Sequence, residues 1–220
     1  MDERFQNRTE AGRRLAAALV RYAGRNDVLV LGLPRGGVPV AFEIASALDA
    51  PLDVFIVRKL GLPGHEEFGI GAIASGGMRI VDESVLRAYG VDADTLDQIT
   101  ARELRELGRR EQLYRDGRPF PTIENRIVIL VDDGLATGST MRAAVAALRE
   151  KRPREIVVAV PVGARETCAT MAALADEIVC LETPDPFYAV GLWYMNFEQT
   201  EDDEVHDLLE RAAAKTAPRS

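Results

Sequence analysis

Five short apolar runs, separated by stretches of helical length, dominate the pattern of hydrophobic and polar positions along this chain. Each run is apolar throughout instead of alternating with polar residues, which is typical of strands covered on both faces of a sheet. The five predicted strands cover residues 28–33, 53–57, 126–131, 155–161 and 177–181. Because strands that alternate with helices form right-handed βαβ units, the pattern predicts an α/β fold with a doubly wound, mostly parallel sheet.

The interval between the second and third strands has a different pattern. Residues 68–74 and 78–81 flank Ser75-Gly76-Gly77, and this arrangement predicts a β-hairpin. A helix over about residues 95–115 follows, and its charges are so dense that few apolar positions remain for packing. We therefore expect this helix to lie outside the core with a solvated face.

No internal repeat and no low-complexity linker divides the chain. We expect a single domain over residues 1–220, with an insertion at about 60–120 and a small C-terminal hood at about 183–200. Within the insertion, the loop over 60–69 is predicted to be mobile, because its glycines and charges offer little to pack.

Composition narrows the class of protein. The chain has 220 residues, of which 47% are hydrophobic, and it carries a formal net charge of −8. This balance suits a globular domain and disfavours a surface that binds nucleic acid or an anionic membrane. No apolar stretch approaches the roughly 18 residues of a membrane span, and the first ten residues are too polar for an export signal. Cys168 and Cys180 lack metal-site spacing, so we expect reduced core cysteines in a cytoplasmic protein.

Two carboxylates and a turn rich in glycine and hydroxyl groups follow the third predicted strand. Asp132 and Asp133 come directly after the apolar run, and the turn over 134–138 opens a helix. Ligands bind at the carboxyl ends of strands in an open parallel sheet, and the N–H groups at the start of a helix favour a phosphate. Two carboxylates beside a phosphate would repel it unless they face hydroxyls or a metal ion, and a ribose diol with Mg²⁺ meets this requirement. A helix cap explains one aspartate but not both, and a Walker A loop is excluded because its Gly-Lys-Ser/Thr ending is missing.

This region resembles the phosphoribosyl-pyrophosphate signature of the type I phosphoribosyltransferases, and locally looks most like adenine phosphoribosyltransferases, over the stretch Val131-Asp132-Asp133-Gly134-Leu135-Ala136-Thr137-Gly138-Ser139-Thr140. The resemblance implies that Asp132 and Asp133 are catalytic residues that bind the ribose 2′- and 3′-hydroxyls. It implies Mg²⁺ as a cofactor, held through the substrate or by these two carboxylates. It also implies a cradle for the 5′-phosphate, formed by Ala136, Thr137, Gly138, Ser139 and Thr140. Gly134 departs from the family pattern, which usually has an aliphatic residue there.

The resemblance extends to two other segments. Leu33-Pro34-Arg35-Gly36-Gly37 follows the first strand, where the family places its pyrophosphate loop. This implies that the leaving group is contacted by Arg35, Gly36 and Gly37. Arg58 and Lys59 look like the basic residues that meet the phosphates in adenine phosphoribosyltransferases, at the base of a mobile loop.

Two further assignments concern the chemistry of the acceptor. Glu67 in the predicted loop is a candidate for acid/base catalysis, and a solvated loop residue is the alternative. Phe187 and Tyr188 in the hood are candidates to stack on a planar base. Simple packing of the hood onto the core explains either aromatic residue equally well.

These features predict a Mg²⁺-dependent phosphoribosyltransferase that transfers ribose 5-phosphate from phosphoribosyl pyrophosphate to a nitrogen acceptor and releases pyrophosphate. The acceptor is expected to be a nucleobase or a related heterocycle. Ala136 stands where hypoxanthine-guanine enzymes carry a further aspartate, which disfavours their acceptors. The alternative is a non-catalytic regulator that binds the same donor, and a homodimer is compatible with either interpretation. No nucleic-acid or membrane partner is expected.

Overall fold

The computed structural model describes residues 4–216, apart from the side chains of Glu66, Glu67 and Thr216. The strands are β1 (Val28–Gly32), β2 (Leu52–Val54), β3 (Val57–Leu62), β4 (His65–Ala74), β5 (Met78–Val81), β6 (Ile127–Val131), β7 (Glu155–Val162) and β8 (Glu177–Glu182). The α-helices are α1 (Arg8–Ala18), α2 (Gly37–Leu48), α3 (Glu83–Tyr89), α4 (Ala93–Arg115), α5 (Ser139–Glu150), α6 (Arg165–Ala172) and α7 (Asp202–Thr216). None of the described helices is both long enough and apolar enough to cross a bilayer.

A five-stranded sheet in the order β2-β1-β6-β7-β8 forms the centre of the molecule, and every neighbouring pair in it is parallel. Alternate residues of its strands point to opposite faces, and each face packs into its own hydrophobic cluster. Leu29, Leu130 and Val158 pack with α5 and α6 on one face, whereas Val30 and Ile129 pack with α1 and α2 on the other. The sheet is therefore covered on both faces, and the predicted doubly wound α/β fold is confirmed.

The second predicted strand is wrong in its extent. Residues 53–57 do not form one strand, because β2 ends at Val54 and β3 begins at Val57 in a separate antiparallel sheet of order β3-β4-β5. Ser75 fixes the backbone between the two sheets at Ile56. Its N–H donates to the Ile56 carbonyl, and its hydroxyl accepts from the Ile56 N–H. The hairpin of β4 and β5 was predicted from the sequence and is confirmed.

The segment predicted as a loop over 60–69 consists largely of two paired strand ends. Leu62 pairs with His65, and the turn between them contains Gly64 with φ +77°. The register of this hairpin shifts on both sides of Gly61. Mobility of the segment remains a prediction.

Helix α4 was expected outside the core, and this is wrong for one of its faces. Leu96, Ile99, Leu107 and Tyr114 are buried in a cluster that also contains residues of β3, β4 and α7. Their spacing places them on a single stripe of the helix, although charged residues separate them in sequence. Most of the remaining surface of α4 is charged and exposed, as predicted, although Leu104 and Leu113 are also exposed there.

Arg115, the last residue of α4, is buried and ties the insertion to the central sheet. Its guanidinium donates to Asp53 Oδ1 at 2.8 Å, to Glu111 Oε1 at 2.7 Å and to the Val54 carbonyl at 2.8 Å. Burial raises the pKa of Asp53, and the positive charge of Arg115 opposes that rise. The ion pair therefore compensates part of the cost of burying a carboxylate at the point where the chain leaves the sheet.

Replacing Arg115 with leucine should lower the free energy of unfolding by about 3–5 kcal/mol, because it leaves the Asp53 carboxylate buried without its cation. Urea unfolding measures this loss. Arg79→Leu is the control, since its partner Asp97 is 71% exposed and the loss there should stay below about 1 kcal/mol. Equal losses in the two variants would show that the buried pair has no special role.

Candidate functional site

The acidic pair lies at the carboxyl end of β6, beside the loop that follows β1. Gly32 pairs with Val131 at the ends of these two neighbouring strands, and the Leu33 N–H donates to the Val131 carbonyl at 2.9 Å. Asp132 is oriented by the Asp133 N–H, which donates to its Oδ1 at 2.9 Å. The loop from Leu33 to Gly37, here called the glycine loop, and the two carboxylates are about a hundred residues apart in sequence. They meet at one edge of the sheet because their strands are neighbours.

Gly36 and Gly37 allow this close approach. A Cβ on Gly36 would overlap Asp133 Oδ2, and a Cβ on Gly37 would lie 2.6 Å from the Val131 carbonyl oxygen. Neither position has room for a side chain. The Pro34–Arg35 peptide, which leads into this contact, is cis.

Arg8, at the start of α1, was not predicted as a site residue, yet it contacts the acidic pair directly. Its Nε and Nη2 both lie 2.8 Å from Asp133 Oδ2. The same guanidinium donates to the Glu198 carbonyl at 2.7 Å and lies 4.0 Å from the centre of the Phe197 ring. Nothing in the local sequence around Arg8 distinguishes it from the other arginines of α1, so only the fold reveals the contact.

The electrostatics of the pair favour an additional positive partner. Burial raises the pKa of Asp132, and the neighbouring Asp133 raises it further. Burial also raises the pKa of Asp133, where Arg8 opposes the shift. Two half-buried carboxylates thus share one cationic contact among the described residues. A hard divalent cation such as Mg²⁺, which prefers carboxylate oxygens, or the hydroxyls of a ligand would fit this donor set.

In the turn before α5, carbonyl groups accept hydrogen bonds from within the protein, whereas the N–H groups stay free among the described residues. The Ala136 carbonyl accepts from the Thr167 hydroxyl at 2.7 Å, and the Thr137 carbonyl accepts from Arg142 at 2.8 Å. Gly138, with φ +71°, turns the chain into the first residue of α5. Within the described chain, the N–H groups of residues 136–140 donate to no other residue. Free N–H groups at a helix start suit a phosphate chemically, and we call residues 136–140 the phosphate turn for this reason.

Arg58 and Lys59 are not brought together. They are consecutive on β3, so their side chains point to opposite faces. Arg58 forms an ion pair with Glu103 of α4, which is buried. Lys59 is exposed and lines a cleft of about 870 Å³ that Ser139 of the phosphate turn also lines. Of the two predicted phosphate contacts, the structure places only Lys59 near the turn.

Arg35 follows the sheet edge but does not contact the acidic pair. Its Nη1 lies 3.6 Å from Glu201 Oε2 and 3.9 Å from Asp202 Oδ1, at the start of α7. Its side chain is 33% exposed, and these separations are long for ion pairs. The guanidinium is therefore loosely held and accessible to an anion.

The hood lies against the acidic loop, which we define as Asp132 to Gly134. It is built from the predicted C-terminal segment and from the first described residues. The Tyr194 hydroxyl donates to the Asp133 carbonyl at 2.6 Å, and burial raises the pKa of Tyr194. Phe5 pairs with Tyr194 through a parallel bridge, so the first residues complete the hood. Only the C-terminal part was predicted.

The two aromatic candidates of the hood differ in their surroundings. Phe187 is half-buried against the cluster around Phe5, whereas Tyr188 is 78% exposed. Glu67 is the remaining predicted site residue, and its side chain lies outside the described part of the structure.

Gly134 has a packing reason to differ from the family pattern. A Cβ at this position would lie 2.6 Å from Val190 Cγ2, since the hood occupies the space that an aliphatic side chain would need. Val190 begins a short 3₁₀ turn over Val190–Trp193. The hood thus packs directly on the backbone of the acidic loop.

The parallel sheet thus carries an acidic pair, a tight glycine loop and a turn with free N–H groups at one edge, which is the edge where ligands bind in open α/β sheets. The model of the phosphoribosyl transferase domain family matches residues 3–193, and the chain belongs to this family.

Known proteins resemble the chain to different extents. A Mycobacterium tuberculosis protein named "Putative phosphoribosyl transferase" is 48% identical over 208 residues, which is 94% of this chain and 47% of that protein. The chain therefore spans about half the length of this relative. The crystal structure of TT1426 from Thermus thermophilus is 43% identical and superposes with a TM-score of 0.84, covering 94% of this chain and 98% of that one. Bifunctional protein PyrR of Clostridium acetobutylicum is 28% identical, over 73% of this chain and 70% of its own.

Adding a methyl group at Gly134 should press on Val190 and lower the free energy of unfolding by about 1–3 kcal/mol, as overpacking does. Val190→Ala in the same protein removes the clashing methyl groups, so the double variant should be more stable than Gly134→Ala alone. Urea unfolding of the three variants tests this. A double variant whose loss equals the sum of the two single losses would contradict the contact.

Proposed function

We propose that the protein binds phosphoribosyl pyrophosphate with Mg²⁺ and transfers its ribose 5-phosphate to a nitrogen atom of a small heterocyclic acceptor, releasing pyrophosphate. The observation that carries this proposal is the meeting of Asp132 and Asp133 with the glycine loop and the phosphate turn at one sheet edge. Membership of the phosphoribosyl transferase domain family supports the class of reaction.

Each part of the donor has a chemically suitable partner. Carboxylates such as Asp132 and Asp133 accept hydrogen bonds from the ribose hydroxyls. The unused N–H groups of residues 136–140 suit the 5′-phosphate. The pyrophosphate group fits the Gly36-Gly37 backbone and the loosely held guanidinium of Arg35. Lys59, which lines the neighbouring cleft, adds a positive charge on the phosphate side.

In the proposed reaction the bond between C1′ and the pyrophosphate oxygen breaks, and pyrophosphate departs with the electron pair. The acceptor nitrogen supplies the pair for the new C1′–N bond and then loses its proton, for which Glu67 is the candidate base. Asp132 and Asp133 fix the ribose so that C1′ faces the acceptor. Arg35 stabilises the negative charge that develops on the leaving group. When bound, Mg²⁺ neutralises further negative charge on pyrophosphate, and Asp132 and Asp133 are the residues that would hold it.

The hood is the proposed acceptor side. Tyr194 fastens it to Asp133, and Val190 packs on Gly134, so the hood stands next to the proposed ribose position. Of the two predicted aromatic candidates, Tyr188 is the exposed one and is available for stacking on a planar acceptor. A panel of nucleobases and other nitrogen heterocycles, assayed with donor and Mg²⁺ for pyrophosphate release, would identify the acceptor. Donor binding without release from any heterocycle would instead favour the non-catalytic regulator.

The acidic pair should be essential for donor binding. Asp132→Asn combined with Asp133→Asn removes two charge-assisted contacts worth about 1.5–3 kcal/mol each, so donor affinity with Mg²⁺ should fall more than about 100-fold. Calorimetry measures the affinity, and circular dichroism checks the fold. Asp94→Asn with Asp97→Asn removes the same charge from exposed positions of α4 and should leave the affinity unchanged. Undiminished donor affinity in the first double variant would overturn the proposal.

Arg35 should act on the leaving group. Arg35→Ala is expected to weaken pyrophosphate binding by about 1.5–3 kcal/mol and to spare ribose 5-phosphate, because one charge-assisted contact is lost at the pyrophosphate alone. Titration of both ligands into wild type and variant separates the effects. Equal losses for the two ligands would mean that Arg35 acts on the loop structure generally.

A further inference from the structure

Arg8 is held from three sides at the edge of the proposed donor site. Asp133, the Glu198 carbonyl and the Phe197 ring all contact its guanidinium, and its side chain is 12% exposed. A surface arginine is normally mobile and hydrated, because ordering and desolvating its side chain costs free energy. The position of the guanidinium is therefore fixed before any ligand arrives.

The contact with Asp133 is one-sided. Both nitrogens of Arg8 approach the same oxygen, Oδ2, which also packs closely against Gly36. Within the described part of the chain, no other residue donates a hydrogen bond to the second oxygen, Oδ1. Arg8 and Gly36 thus hold one oxygen of the carboxylate and leave the second one for a ligand.

The charge of Arg8 matters as much as its geometry. Asp132 and Asp133 are adjacent and largely shielded from solvent, so two negative charges are held close together there. Arg8 is the cation that contacts the pair within the described chain. A neutral side chain at position 8 would remove both contacts with Oδ2 and the positive charge beside it, and would leave the Asp133 carboxylate free to rotate.

We propose that Arg8 is a positioning residue for donor binding, which acts through Asp133 by fixing its carboxylate so that Oδ1 faces the ribose hydroxyls. This inference rests on the proposed function. It also gives α1 a part in the donor site, although none of the predicted site residues lies on that helix.

The test compares donor affinity with Mg²⁺ in wild type, Arg8→Met and Arg8→Lys. Arg8→Met should raise the donor Kd about 10- to 100-fold, the range of one charge-assisted contact. Arg8→Lys keeps the charge but offers one nitrogen, so its Kd should fall between those of wild type and Arg8→Met. In steady-state assays the donor KM should rise while kcat at saturating donor stays close to wild type.

Arg14→Met is the matched control. Arg14 lies on the same helix, pairs with Glu182 and covers the Phe5 ring, but it does not contact the acidic pair. Because its pair with Glu182 is partly exposed, Arg14→Met should lower thermal stability only slightly and leave the donor Kd within about twofold of wild type. If Arg8 acts through Asp133, adding Arg8→Met to Asp133→Asn should change the Kd by less than about twofold.

The outcomes separate the inference from the function on which it rests. Wild type that binds no donor would overturn the proposed function and the inference with it. Wild type that binds donor, with Arg8→Met binding equally well or more tightly, would overturn the inference alone, since Arg8 would then be structural or a competitor of the ligand. Should Arg8→Met fail to fold, an Arg8→Lys protein with wild-type affinity would contradict the inference.

Discussion

Strands β1 and β6 pair in parallel, residue for residue, from Val28 with Ile127 to Gly32 with Val131. Their following loops therefore leave the sheet side by side, and the site depends on this register. A shift by one residue would turn every side chain of a strand to the other face and move the acidic pair away from the glycine loop. The continuous burial of both strands specifies the register, because each face has its own helices and its own cluster.

The same register also places two negative charges next to each other, and a neighbouring helix compensates part of their repulsion. Asp132 and Asp133 bring two adjacent negative charges to a largely shielded position in a chain whose formal charge is −8. Arg8 compensates one of the two carboxylates. A carboxylate that is shielded from water gains from a cation or a hydrogen-bond donor, so this sheet edge has the chemistry to attract either one.

The parts of the structure that sequence could predict are those whose signals are local. Four of the five core strands were recognisable because each is largely apolar, and the acidic pair because it ends one of these runs before a glycine turn. The second strand was misjudged in extent because the apolar run over 54–57 continues past the point where the chain leaves the central sheet. Arg8 could not be recognised, since its partners Asp133 and Glu198 are 125 and 190 residues away. Arg58 was grouped with Lys59 by adjacency, but the chain had already left the central sheet, and strand alternation separates the two side chains.

The bridge between Phe5 and Tyr194 affects when the hood forms during folding and how easily it opens. That contact closes a loop of nearly the whole chain, so its entropic cost is high and local structure does not help to form it. We expect this pairing to form late in folding and to open at lower free energy than the central sheet, as peripheral cooperative units do. Opening would uncover the space above Gly134 while β1 and β6 stay paired. Opening of the hood would therefore expose the proposed acceptor position to solvent without disturbing the register that holds Asp132 and Asp133 beside the glycine loop.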